Sequence, residues 1–171
     1  MRTPVVIAII AAVAAAIVIG TVLMFTPLFR VGSGPLEPVE SEGGLPGYNQ
    51  TVVSIADARL LADIADTPEK RSLGLGVRNN MTEGEGMLFL LEQSSRQPFW
   101  MNGMKFPIDI IWINSDREVV HIEHSLEPCP SSLDCPNHYP DEEALYVLET
   151  VAGFSERHGV MDGTKVEFDL A

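Results

Sequence analysis

The sequence predicts a mostly β (α+β) domain, a compact β-barrel or strongly curled antiparallel sheet with two short helices, preceded by one N-terminal transmembrane helix. Three observations carry this. Residues 5–25 form one unbroken apolar run with Thr21 as its only polar member. Residues 51–171 hold several short apolar or alternating segments separated by turn residues, in meander order and with little room for helical crossovers. Only two segments carry helix signals.

The apolar run comes first. Its 21 residues at helical rise span roughly 30 Å, the thickness of a bilayer's hydrocarbon core. Arg2 and Arg30 bracket it. A cleaved secretory signal is the rival, but such signals have shorter apolar cores ending in a small-residue cleavage site, and Ala14-Ala15-Ala16 is followed by further apolar residues. Residues 1–30 are therefore expected to be an anchor. All 24 acidic residues follow it, with nine basic ones, so residues 31–171 carry a net charge of −15. An anionic cytoplasmic leaflet would repel such a body. The two cysteines, both in it, suit an oxidising compartment. The expectation is a single-pass protein of the cell membrane with its C-terminal domain outside the cytoplasm. Residues 31–50, rich in Gly, Pro, Ser and Glu, read as a flexible linker.

Within 51–171, TVVSIADARLLADIA suggests one or two strands. Thr67-Pro68-Glu69 starts a helix: an N-cap, a proline at the first helical position, an acid in the first turn. It should end near Gly74 or Gly76. Strands follow over 86–92 and 106–114, and 118–126 is expected to form a hairpin with the latter. Residues 144–151 read as a strand. GFSERHG (153–159) reads as a short helix with Gly159 just past its end. TKVEFDL (164–170) alternates as a closing strand.

The segments DTPEKRSLGLGVR, EGEGMLFLLE, FWMNGMKFPIDIIWIN, VVHIEHSLEPCP and ALYVLETVAGFSERHGVMDGTKV, in that order, resemble the domain-of-unknown-function 192 (DUF192) family over 52–168. The resemblance implies a small, mostly β domain, often exported or tethered to a membrane, with no established activity. The chain departs from the family pattern at Gly76, where Met is common, and at Asn102-Gly103-Met104, where Lys-Asn-Thr is common.

The candidate chemistry centres on Asp109. It stands in a strand among Ile108, Ile110, Ile111, Trp112 and Ile113, and alternation gives it the face of Ile111 and Ile113. A carboxylate there needs a charged or hydrogen-bonding partner. Arg71 and Arg78, in the helix region that must pack over the sheet, are the best candidates, giving either an Asp–Arg centre in a ligand pocket or a structural ion pair or backbone cap. Trp100 and Met101 line a pocket mouth or belong to the core. Met101, Met104, His121 and His124 do not form a recurrent metal-binding pattern, since His121 and His124 point to opposite faces of a strand. No metal is expected. Cys129 and Cys135, separated by five residues in PCPSSLDCP, lack the redox Cys-x-x-Cys spacing and suit a structural disulfide.

Several classes are disfavoured. Asn79 breaks the dinucleotide-binding glycine pattern begun by Gly74 and Gly76. No phosphate loop and no nucleophile elbow are present. No motif implies a cofactor, and the net charge repels nucleic acid. Two classes remain: a membrane-anchored binding or accessory module for a small molecule, glycan or protein, and a hydrolase or transferase using Asp109 as general acid or base. The sequence offers the second neither a nucleophile nor a positioned partner carboxylate.

Overall fold

A computed structural model describes residues 44–170. The expected transmembrane segment and most of the linker lie outside the described residues. Among the described residues, no helix is long and apolar enough to cross a membrane.

Nine strands and two short helices follow in order: β1 (Gln50–Ile55), β2 (Ala58–Ala65), α1 (Pro68–Leu73), β3 (Glu85–Ser95), β4 (Phe99–Trp100), β5 (Ile108–Ile113), β6 (Val119–Leu126), β7 (Asn137–His138), β8 (Ala144–Val151), α2 (Phe154–Arg157) and β9 (Val166–Glu167). Seven strands form one sheet in the order β6-β5-β8-β3-β2-β1-β9, and β4 and β7 form a separate ribbon. The large sheet is strongly curled into a half-barrel. At one end its two edges meet: Val119 N donates to Thr164 O at 2.9 Å, and Val166 N to Arg117 O at 2.9 Å.

The expected antiparallel sheet holds except at one seam. β2 and β3 pair in parallel. The crossover between them is α1 and a 3-10 turn, Gly74–Val77. A parallel pair cannot be joined by a tight turn and needs such a connection. Thr67 caps α1, its side chain accepting from Lys70 N, and Gly74 ends it with a positive φ of 49°. Arg78 then pins the crossover, donating to Asp63 on β2 at 2.6 Å and to Glu85 on β3 at 2.9 Å.

The sheet is buried on both faces, so β5 reads as an almost continuous apolar run rather than an alternating one. The inner face packs Val53, Leu60, Leu88, Ile111, Ile113 and Leu148 around Phe154 of α2. The outer face packs Met87, Phe89, Ile110, Trp112 and Val147 beneath Leu75 and Met101. Cys129 and Cys135 lie at disulfide distance, with their Cα atoms 5.2 Å apart, and pack against this outer layer.

Candidate functional site

The outer apolar layer is not completely covered. An open cleft of about 870 Å³ lies over it. One wall is α1 and the 3-10 turn, with Arg71, Leu73, Leu75 and Gly76. The second is the end of β3, with Phe89, Glu92 and Gln93. The third is the segment Gln97, Phe99, Trp100, Asn102 and Met104, joined by Asn137. Glu149 of β8 lines it from the sheet.

The Trp100 wall is built on a rigid scaffold. Phe99 packs edge-on against Phe89 and Trp112, with centroids 5.0 and 5.9 Å away. Trp112 Nε1 donates to Gln97 O at 3.2 Å. β4 pairs with β7, setting Trp100 opposite Asn137. The Cys129–Cys135 loop leads into β7, and Cys129 N donates to Met101 O at 3.4 Å. Trp100 is left half-exposed, at 53%. An exposed indole held by a packed neighbour is a ready apolar platform with a polar edge.

Arg71 is committed within its own wall. It donates to Leu90 O at 3.0 Å and to Glu92 at 2.8 Å. The cleft therefore presents paired charge, several carboxamides and one aromatic platform. Below them is Glu149, 4% exposed, with Oε2 lacking any hydrogen-bond partner. Burial pushes its carboxyl up to about 8. Burial thus favours its protonated form, which carries a proton to donate.

The expected Asp–Arg centre does not form. Asp109 is fully buried, and its carboxylate accepts from Ser125 N at 2.8 Å, Gly153 N at 2.9 Å and Ser155 N at 2.8 Å. Three backbone donors satisfy it without an arginine. It is absent from the cleft lining. Arg78 is bound to Asp63 and Glu85. Met101 is in the core, at 1% exposure. Of the sequence candidates, Arg71 and Trp100 are brought together on the cleft, while Asp109, Arg78 and Met101 lie elsewhere.

Glu149 was missed, although its signal was present: one acid near the end of the apolar run ALYVLETV, the same oddity that singled out Asp109. His121 lies 3.1 Å from Asp141, and His138 lies 3.4 Å from Glu123. Among the described residues, no group of three or more His, Cys, Asp or Glu side chains is placed to hold a metal ion.

The family model for DUF192, described as "Uncharacterized ACR", matches residues 51–168. The chain belongs to the DUF192 family. No curated protein matches it. Two crystal structures are among those that resemble it. One, from Sinorhizobium meliloti 1021, is described as a "putative transcription regulator"; it is 29% identical with a TM-score of 0.62, over 71% of this chain and 95% of that one. The other, from Novosphingobium aromaticivorans, is a protein of unknown function; it is 27% identical with a TM-score of 0.65, over 80% of this chain and 99% of that one. The departures from the DUF192 pattern noted above fall beside the cleft: Gly76, Asn102 and Met104 all line it.

Proposed function

We propose that this DUF192 protein is a membrane-anchored, extracytoplasmic binding module whose cleft takes a neutral, hydroxyl-rich ligand of the glycan class. The observation that carries the ligand class is the composition of the cleft. A half-exposed Trp100 stands among Gln93, Gln97, Asn102 and Asn137, and the only charged side chains on the walls, Arg71 and Glu92, neutralise each other at 2.8 Å. That pairing leaves the walls without net charge to recruit a charged ligand. A neutral polyol stacks its apolar face on the indole and exchanges hydrogen bonds with carboxamides, which both donate and accept. The anchored, external location rests on the apolar run at 5–25 and the net charge of −15 beyond it.

Full-length protein in detergent micelles, titrated with neutral oligosaccharides, tests this. Tryptophan emission should respond, because Trp100 is exposed while Trp112 is buried. The response should vanish in Trp100→Ala. Binding that survives Trp100→Ala, or no binding to any neutral oligosaccharide, would sink the proposal.

A hydrolase using Asp109 gains nothing from the geometry, since that carboxylate is consumed by backbone N–H groups away from the cleft.

A further inference from the structure

One polar group of the cleft is left without a partner. Glu149 sits on β8 with Met87 of β3 and Ile110 of β5 as its register neighbours. All three belong to the outer face of the sheet, where the surroundings are apolar. The other two buried carboxylates of the described residues are satisfied: Asp63 by Arg78, Gln50 and Leu45 N, and Asp109 by three backbone N–H groups. Glu149 Oε2 is not. A buried polar atom without a partner is costly and calls for an explanation. The residue also lines the open cleft, which puts an unpaired carboxyl at its floor.

We propose that the floor of the cleft binds an acetyl group, its carbonyl oxygen accepting a hydrogen bond from the Glu149 carboxyl and its methyl resting on Leu75 and Phe89. This deepens the glycan reading above and rests on it: the ligand class becomes acetylated sugars.

The chemistry of the floor selects the group. From β3 it is faced by Met87 and Phe89, from β5 by Ile110, and from the 3-10 turn by Leu75, none of which titrates. The nearest charged groups on the cleft are Arg71 of α1 and Glu92 of β3, paired with each other. Burial alone raises the Glu149 carboxyl to about 8, so below that pH the floor offers one O–H donor and one carbonyl acceptor in an apolar surround. An ammonium would have to shed its water there without a carboxylate to meet it. A hydroxyl can exchange hydrogen bonds with the carboxyl but leaves the apolar contact with Leu75 and Phe89 unmade. An acetamido group does both, its carbonyl accepting from the carboxyl and its methyl covering the apolar floor. A site built around one buried hydrogen bond rejects analogues that leave it unmade.

Two measurements on the full-length protein in micelles test this. The first follows the Glu149 side-chain carboxyl by 13C NMR, assigned by its loss in Glu149→Gln. Acetamide should shift this resonance and raise its titration midpoint, because a carbonyl favours the protonated form. Acetamide that leaves the resonance unmoved overturns the acetyl inference. The second compares the trimer of N-acetylglucosamine with cellotriose, which carries a hydroxyl in place of each acetamido group. The acetylated trimer should bind roughly tenfold tighter at about pH 6.5, the worth of one well-made hydrogen bond. That preference should shrink as pH rises past about 8. Glu149→Gln, which still donates, should keep the preference at both pH values. Glu149→Leu should lose it while retaining Trp100-dependent binding. Equal, Trp100-dependent binding of both trimers overturns the acetyl inference and leaves the glycan reading standing. An acetamide response with no binding of either trimer, or of any other neutral oligosaccharide, supports the acetyl site and overturns the glycan reading.

Discussion

Asp109 gathers three backbone N–H groups, and two of them belong to residues in left-handed backbone: Ser125, with φ of 50°, and Gly153, with φ of 75°. The third, Ser155 N, lies in the first turn of α2. A serine at positive φ is strained, and the carboxylate compensates by satisfying its N–H. Asp109→Ala should therefore cost about 3–5 kcal/mol, through three donors left without their acceptor; urea unfolding measures it. A loss below about 1 kcal/mol would remove the structural role. Glu149 has no such partners, and its pH dependence has a definite sign. Its folded value of about 8 stands above the ordinary 4.5, so the folded state holds a proton that the unfolded chain releases. Its contribution is fully present below the ordinary value and is lost as pH rises toward about 8. Glu149→Gln, with no proton to lose, should gain on the parent by up to about 1.4 kcal/mol per pH unit through that window, and then hold its lead. A stability difference that stays flat between about pH 5 and pH 8 would refute the raised value. Asp109 was legible in the sequence as an oddity of an apolar strand, and Glu149 carried the same signal without being singled out. Alternation gives a side chain's face, but both faces of this sheet are covered, so it could not tell which acid meets backbone and which meets a cleft.

The elements themselves were largely written in local signals. Residues 144–151 are β8 as read, the 118–126 segment is the antiparallel partner of β5, and Thr67-Pro68-Glu69 starts α1. The closing strand shrinks to Val166–Glu167, because only that part meets β1. The parallel β2–β3 seam was not legible, since a period of two is the same in either direction. Nor was the β4–β7 ribbon, whose two-residue strands carry no period at all. These two hidden features build the cleft. Arg78 holds the first by bridging Asp63 and Glu85, one on each parallel strand. Arg78→Ala strands a buried aspartate and should cost about 3–5 kcal/mol, with the largest loss of amide protection in β2, α1 and β3 by hydrogen exchange. Uniform loss of protection across all strands would argue against a local pin. The Cys129–Cys135 loop holds the second. Replacing both cysteines with serine should cost roughly 2 kcal/mol, the loop-entropy worth of so short a closure. It should also red-shift Trp100 emission as β7 loosens. Unchanged emission would mean that the ribbon stands without the crosslink.

At the scale of the whole molecule, one sheet both encloses the core around Phe154 and supports a cleft on its other face. The mostly β class was legible because short apolar segments at close spacing leave no length for helical crossovers other than α1. The half-barrel's partial closure was not, since it depends on contacts between 117–119 and 163–166 that no local pattern announces. Charge supplies the remaining argument. The 141 residues after Arg30 hold every acidic side chain, 24 against nine basic ones. A membrane with an anionic inner leaflet disfavours such a body on its cytoplasmic side, and the flanking Arg2 and α-amino group favour an N-terminus left inside. On the function proposed above, an anchor at 5–25 would put the cleft outside the cell, within reach of free glycans. Protease added to intact cells should remove the body, and lysis should be unnecessary for that digestion. The domain's tight core slows cleavage within 51–168, so the expected cut falls in the Gly- and Pro-rich 31–50 segment and releases a fragment of the size of the DUF192 domain. Three added lysines just after Arg30 should strengthen the positive charge on the far flank and lower the digested fraction. Complete protection of the parent protein in intact cells, with digestion only after lysis, would place the domain in the cytoplasm and remove the basis for an external ligand.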